Sequence, residues 1–528
     1  MIIRSPYPDL AIPDTALPAF VFEGLGAQDA DRPAITDTAG NGYTYGQLVH
    51  AVGRVAAWLA ARGLGRGDVA ALFCANCPDY PVLFHGVLAA GAVASPANAL
   101  YTPAELAHQL RDARARVLFT SATHLERARA AVAEAGVIVQ EIVVLGEPAG
   151  VPGPLPETAF AEVLATDAPA PDVAIGGDDL AALPYSSGTT GLPKGVMLTH
   201  RNLVASVLQT APLHRLGPDS RVLAVLPLFH IYGITGLMNI PLRARARVVT
   251  MERFGLVPFL AAIERHRVDH LYIAPPVALH LIESLLVDTY DLSSVQLVTS
   301  AAAPLDSAVA RALAKRLDAT VVQGYGLTES SPTTHGIPAD RTDLDRGSIG
   351  VLMPNMEARV VDPVTGEDAA PGGRGELWCR GPNVMRGYLG NPRATAATVD
   401  TDGFLRTGDV VTVDEQGVFH VVDRLKELIK YRGHQVAPAE LEALLLTHEG
   451  IADAAVIGVR HGGEEVPKAF VVRAPTHPGL TSDEVSTYVA ARVAPYKKVR
   501  LVEFLDEIPK SPSGKILRRN LRTRTPAP

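Results

Sequence analysis

The stretch Tyr185-Ser-Ser-Gly-Thr-Thr-Gly-Leu-Pro-Lys-Gly195 concentrates the residue types that hold a polyphosphate. Glycines let a backbone turn tightly and aim its N–H groups at an anion, hydroxyls add donors, and Lys194 adds a positive charge. It is not a Walker A loop, because Pro193 precedes the lysine and no Ser or Thr follows it. It is not G-x-G-x-x-G either, so no dinucleotide fingerprint is present. An ordinary Gly-rich turn would not need hydroxyls and a lysine together. Other candidates stand alone. Glu329 and Asp409, taken singly, read as solvated loop carboxylates. His230 reads as a packed histidine before a general base. Cys74-Ala-Asn-Cys77 has C-x-x-C spacing but no second pair, and reads as small hydrophobes ending a strand. The basic residues Lys510, Lys515, Arg518, Arg519, Arg522 and Arg524 read as a solvated terminal helix, Lys515 excepted.

The elements that must position these groups alternate along the first part of the chain. Thr44-Tyr-Gly-Gln47 and Thr102-Pro-Ala-Glu105 are capping boxes that open helices. Val69–Phe73, Ala92–Ser95 and Arg116–Thr120 are strand-like runs between helical segments, which predicts a parallel sheet covered on both faces. Gly146–Pro171 reads as a surface connection rich in Pro, Ala and Gly. Alternation resumes over 181–254 and 268–328. Beyond Gly347 the pattern changes to short strands and Gly-rich turns, with a hairpin signal at Val413-Asp-Glu-Gln-Gly-Val418.

Composition narrows the classes. The apolar set is 47% and charged residues 20%, a globular balance able to bury large cores. Lys+Arg is 48 against Asp+Glu 56, a net charge of −8, and aromatics are 5%, so nucleic acid is not expected as a partner. Three cysteines cannot staple 528 residues, which suits a reducing, cytoplasmic setting. The first residues, MIIRSPYPDLAIPD, are broken by prolines and lack an apolar run, so they do not read as a signal peptide. Tyr80–Ala104 and Val222–Leu242 lack Asp, Glu, Lys and Arg over a membrane-spanning length, yet His, Pro, Gly and Asn interrupt them. They are read as buried α/β core, with no transmembrane segment.

After the loop, further motifs follow in order: Gln323-Gly-Tyr-Gly-Leu-Thr-Glu329, Gly375-Glu-Leu, Tyr388-Leu-Gly, Thr407-Gly-Asp409, Asp423-Arg424-Leu-Lys-Glu-Leu-Ile-Lys430 and Pro509-Lys-Ser-Pro-Ser-Gly-Lys515. The ordered set resembles the acyl-adenylate-forming, AMP-binding superfamily of acyl-CoA synthetases, adenylation domains and luciferases, over nearly the whole chain. Phe229-His-Ile-Tyr-Gly, Lys430-Tyr-Arg-Gly-His-Gln-Val-Ala-Pro-Ala-Glu-Leu-Glu442 and Val493-Ala-Pro-Tyr-Lys-Lys498 are most similar to 4-coumarate– and cinnamate–CoA ligases.

The resemblance implies an α/β fold: a large N-terminal body of αβ-layered sheets with a small β-barrel-like subdomain over 1–422, and a small mobile α+β domain over 423–528, hinged at Asp423. It implies Ser186, Ser187, Gly188, Thr189, Thr190 and Lys194 on the β- and γ-phosphates of ATP, and Tyr325 on adenine with Ala301, Ala302 and Ala303 opposite. Gln323, Gly324 and Gly326 flank that tyrosine. Thr328 is implied at the α-phosphate, Glu329 on Mg²⁺, and Asp409 with Arg424 at the ribose. Lys515, Lys430 and Gln435 approach the adenylate, and His230 lies near the tunnel for coenzyme A. The acid pocket is implied at Ile231, Tyr232, Thr235, Gly236, Ala301, Gly324, Gly326, Pro332 and Thr333, with small residues at 324 and 326 leaving room for a flat ring. The implied activity is ATP-dependent ligation of a small-molecule carboxylic acid, of cinnamate or 4-coumarate type, to CoA, by a monomer or homodimer. A medium- or long-chain fatty acid ligase and a degenerate nucleotide-binding protein are the alternatives.

Overall fold

The computed structural model describes all residues except 137, 149–152, 154, 187–192, 342, 426, 432–433, 462–463, 494, 511–513 and 525–528, and gives only the backbone at 212, 430, 434, 435 and 519. Two nine-stranded sheets dominate. In the first, Val69–Phe73 lies in parallel between Val93–Pro96 and Ala115–Ser121, and Lys194–Thr199 joins through Leu180–Ala182. In the second, Arg221–Ala224, His270–Ile273, Leu297–Ser300 and Thr320–Gly326 run parallel in that spatial order. The main core lies between these sheets, and the helices Tyr45–Ala61 and Asp79–Ala89 contribute to it.

Strand Val69–Phe73 shows why its sequence is continuously apolar. Ala70 and Leu72 enter the main core, while Val69, Ala71 and Phe73 enter a second core with Leu106, Leu110 and Val132. A strand buried on both faces has no polar alternation to display. Both capping boxes form, with Thr44 accepting from the Gln47 N–H and Thr102 from the Glu105 N–H.

One expectation fails. The connection after Gly146 contains the strand Glu157–Ala159, which extends the first sheet in parallel beyond Glu141–Leu145, and the helix Phe160–Leu164, which buries Phe160 and Val163. Three strand residues beside prolines carry too little periodicity to be seen in the sequence. The uncharged stretches are core: Asp79–Ala89 is buried almost throughout, and 222–242 holds a strand end, a helical segment Gly233–Asn239 with π-type spacing and the turn Ile240–Arg243. Among the described residues no helix is long and apolar enough to cross a membrane.

The third sheet is antiparallel, in the order Ile3–Arg4, Glu357–Val361, Arg374–Arg380, Leu405–Val413, Phe419–Arg424, and the predicted hairpin is its last turn. The remainder builds a smaller unit around its own core, drawn from Ile429 to Leu521. It contains the antiparallel pair Ile451–His461 and Glu464–Arg473. Its basic end is the helix Arg518–Arg524, but Arg518 points inward. It pairs with Glu427 at 2.9 Å and with both oxygens of Glu442 at 2.7 Å, so this part of the tail is not the solvated surface expected.

Candidate active site

Asp409 is the most constrained carboxylate of the cleft. Antiparallel register sets it opposite Arg424, whose Nε lies 3.2 Å from Oδ1, and the Tyr325 hydroxyl donates to Oδ2 at 2.6 Å. The backbone here is fixed by two neighbours. Glu376 accepts from the Gly408 N–H at 3.0 Å and from the Trp378 indole at 2.8 Å. Thr407 Oγ1 donates to the Leu377 carbonyl at 2.7 Å and accepts from the Asp409 N–H at 3.1 Å. Gly408 needs its glycine, having φ +72°. The Gly375-Glu-Leu and Thr407-Gly-Asp409 motifs are therefore one device, two strands clamped so that one aspartate faces the cleft. Burial, then the Asp409 charge, push the Tyr325 phenol well above its ordinary range and keep it a donor.

Glu329 is the second hub. Its Oε1 accepts from Ser186 Oγ at 3.0 Å and from the Tyr388 hydroxyl at 2.8 Å. Lys194 lies opposite Ser186 in the antiparallel pair, and its Nζ stands 4.7 Å from the centre of the Tyr388 ring. Ser187, Gly188, Thr189 and Thr190 lie outside the described residues. Thr328 is half-buried and starts the short turn that carries Glu329. Buried Asn383 fastens the loop, donating to the carbonyls of Ser330 at 2.7 Å and Thr333 at 2.9 Å. Among the described residues no group of three or more His, Cys, Asp or Glu converges as a metal site. One carboxylate ringed by hydroxyls nevertheless suits Mg²⁺, a hard cation usually held by one or two carboxylates and the substrate's phosphates.

Lys515 reaches the same cleft from the smaller unit. Burial, then the Arg424 charge, lower its ammonium to about 8, against the pull of Asp409 and Glu427. Its charge is felt by His230, an exposed residue whose imidazolium is lowered to about 4 by the protein packed near it, then by Lys515. His230 Nδ1 accepts the Tyr232 N–H at 3.3 Å, so in the neutral ring the proton sits on Nε2. The cleft is offered a donor rather than a base. Lys430 and Gln435 are register partners in a two-stranded ribbon; their side chains are outside the described set. Asp423 is buried and accepts from the N–H groups of Arg424 at 2.6 Å and Ala439 at 3.0 Å, the latter in the first turn of Pro438–Leu446. Burial raises its carboxyl above the usual range.

Beside these groups lies the segment expected to line an acid pocket. The Tyr232 hydroxyl donates to the Thr299 carbonyl at 3.3 Å, which leaves its lone pairs as acceptors. A Cβ at Gly236 would stand 3.2 Å from the Tyr232 ring, so glycine lets that ring lie on the helix. Thr235 bonds the Ser331 carbonyl at 2.9 Å, and Ile231 is buried. Pro332 and half-buried Thr333 open the strand opposite, and Ala301 donates its N–H to Ile273 at 3.2 Å. Ala302 holds φ +73°, an unusual value for alanine, and Ala303 is half-buried beside it. The two glycines expected to make room differ. Gly324 faces open space, whereas a Cβ at Gly326 would stand 1.7 Å from the Pro332 carbonyl oxygen. Only 324 supplies room; 326 is glycine because two strands touch there. Gln323 spends its amide on the backbone of Leu305 and Arg346, at 2.9 and 2.6 Å, so its side chain braces the loop.

Sequence reasoning overlooked Tyr388, Asn383 and Glu376 as site residues. Two of them lay inside motifs already noticed, but their partners are distant in sequence and only strand pairing identifies them.

Comparison with known proteins shows the family. The AMP-binding enzyme family matches residues 22–389, and the AMP-binding enzyme C-terminal domain matches residues 440–515. The 4-coumarate–CoA ligase of Pinus taeda is 41% identical over all of this chain and 98% of its own length. 4-Coumarate-CoA ligase 1 of Narcissus pseudonarcissus is 40% identical over all of this chain and 97% of its own. ATP-bound MatB from Rhodopseudomonas palustris superposes with a TM-score of 0.87 at 31% identity, covering 97% of this chain and 99% of that one. The anthranilate CoA ligase AuaEII, solved with anthranoyl-AMP, gives 0.88 at 26% identity, covering 98% of each. With both of its parts matched and its whole length shared with these ligases, the chain belongs to the AMP-binding enzyme family.

Proposed function

We propose that this protein is an AMP-forming acid–CoA ligase acting on an aryl acid of the cinnamate or 4-coumarate type. The observation that carries the reading is the convergence of Lys515, Arg424 and Asp409 in a chain 41% identical, end to end, to a 4-coumarate–CoA ligase. A carboxylate is a poor electrophile. Its attack on the α-phosphate of ATP releases pyrophosphate and gives an acyl-adenylate, from which AMP departs readily when the CoA thiol attacks the acyl carbon.

The protein's task in the first step is to bring several negative charges together. Lys194, with Ser186, Ser187, Gly188, Thr189 and Thr190, holds the β- and γ-phosphates, and Thr328 meets the α-phosphate. Tyr325 and the loop of Ala301, Ala302 and Ala303 enclose adenine. Asp409 accepts from the ribose hydroxyls, and Arg424, paired with it across the strands, keeps it aimed. Lys515 bridges the acid's carboxylate and the α-phosphate, with Lys430 and Gln435 near by. Glu329 would hold Mg²⁺, which when bound neutralises phosphate charge. Tyr232, its proton directed at Thr299, accepts from a para-hydroxyl group of the acid. His230 donates from Nε2 and serves the second step by position, not as its base.

Lys515 and the CoA thiol need the same acyl carbon in turn. The unit from 423 onward therefore rotates about Asp423 against the body of 1–422 between the half-reactions. A monomer or homodimer in the cytoplasm, with all three cysteines as thiols, completes the proposal. AMP release with CoA across cinnamates, benzoates and fatty acids tests it. Preference for cinnamate or 4-coumarate is expected; preference for octanoate would overturn the substrate, and inactivity on every acid the activity itself.

A further inference from the structure

The C-x-x-C pair has no part in the ligase chemistry. Cys74 follows the strand Val69–Phe73 and is buried; Cys77 is half-buried, and all three cysteines of the chain are free. The two thiols are neighbours, and the Cys77 thiol, then burial, push the Cys74 thiol up. The groups facing them are Asp79, Tyr43 and the buried hydroxyl of Tyr80, which has no hydrogen-bond partner among the described residues. The Tyr43 hydroxyl donates to Asp79 at 2.5 Å.

Between the cysteines stands Asn76, which ties their loop to the chain approaching the acid pocket. Its Nδ2 donates to the carbonyls of Ala224 at 3.1 Å and Leu226 at 2.9 Å, and its Oδ1 accepts from the Leu228 N–H at 2.7 Å. Asn76 is 8% exposed, and two residues beyond Leu228 comes His230, then Ile231 and Tyr232. Three bonds from one amide make this the fastening of that segment to the first sheet.

We propose that Cys74 and Cys77 are a reversible oxidation site, closed to an intrachain disulfide by a peroxide, which displaces Asn76 and with it the wall of the acid pocket. Cys77, the more exposed, attacks one peroxide oxygen as its thiolate. The O–O bond breaks, the departing hydroxide leaves as water with the proton the thiol gave up, and a sulfenic acid remains. Cys74 then attacks that sulfur; the S–S bond forms, the S–O bond breaks, and the second hydroxide leaves as water with the Cys74 proton. Two thiols lose two electrons and two protons, and hydrogen peroxide becomes two waters. A disulfide holds its sulfurs about 2.05 Å apart, far closer than unbonded thiols stand, so closure draws Cys74 and Cys77 together and strains the bonds of Asn76 between them.

The activity readout rests on the ligase reading; the mass readout does not. Full-length reduced enzyme is treated with hydrogen peroxide, then followed by intact mass, peptide mapping and ligation rates against acid concentration. The expected result is loss of two hydrogen atoms mapped to 74–77, a fall of about tenfold in kcat/KM for the acid, unchanged AMP binding, and reversal by dithiothreitol. Cys77→Ser, and Cys74→Ala should that variant fold poorly, are expected to be active and insensitive to peroxide. A pair that stays dithiol, over-oxidation of Cys77 alone, or a disulfide without effect on the acid would each overturn the proposal. Reduced enzyme without ligase activity would instead overturn the proposed function.

Discussion

Lys515 sits where its charge is costly, and the cost is measurable. Burial, then the Arg424 charge, lower its ammonium to about 8. A lysine whose ammonium is depressed to about 8 is charged below that pH and neutral above it. Adenylation measured as kcat/KM for ATP, which reports the free enzyme, is therefore expected to be level below pH 7 and to fall as pH passes 8. The limb in kcat should lie higher, because bound phosphates favour the ammonium. Lys515→Arg, charged throughout, should lose the limb at lower overall rate; an unchanged limb would assign it to another group. Lys515→Ala should lose about a hundredfold or more in pyrophosphate release while still converting supplied acyl-adenylate and CoA to thioester. Equal loss in both half-reactions would remove Lys515 from its role in the first step alone. These residues were legible because their side-chain chemistry sits in local motifs. Gly324 and Gly326 were not distinguishable, since what a glycine makes room for depends on the strand across from it.

At the scale of elements, the loop carrying Thr328, Glu329 and Pro332 is fastened by one buried amide. Asn383→Ala leaves the carbonyls of Ser330 and Thr333 without their donor, at a cost of roughly 1–3 kcal/mol. A lowered denaturation midpoint is expected, with a raised KM for the acid, since Thr333 adjoins the pocket. An unchanged KM in a destabilised variant would confine Asn383 to stability. The helix starts were legible because Thr44 and Thr102 cap through residues only three positions away. The strand Glu157–Ala159 escaped because its stabilising partner, Glu141–Leu145, is remote and its own run is short. The π-spaced segment Gly233–Asn239 escaped for a related reason. Hydrophobicity on every side marks burial, not the hydrogen-bond period of the helix within.

The smaller unit has a core of its own, and its contact with the rest of the chain can be tested at one atom. Val410 of the body packs with Leu428 and Ala437 beyond Asp423, and the Leu425 N–H donates to the Gly408 carbonyl at 2.7 Å. On the other side Gly514, next to Lys515, touches the body directly: a Cβ there would stand 2.8 Å from Pro276 Cδ and 2.9 Å from its Cγ. Pro276 lies in the first turn of the helix Pro275–Glu283 and cannot retreat easily. Gly514→Ala should therefore penalise the arrangement that brings Lys515 to the cleft, by about 1–3 kcal/mol for overpacking, seen as a tenfold or greater loss in adenylation. Thioester formation from supplied acyl-adenylate, for which the proposed mechanism does not need Lys515 in place, should change little. Gly514 also has φ +80°, where any side chain is strained. The two causes separate in the double variant with Pro276→Ala. Relief of the clash restores part of the adenylation rate, whereas strain at residue 514 is indifferent to Pro276. Restoration would make the Gly514–Pro276 contact part of the closed state for adenylation. Failure of rescue, or equal loss in both half-reactions, would mean that the glycine serves its own turn and that the contact does not govern the rotation.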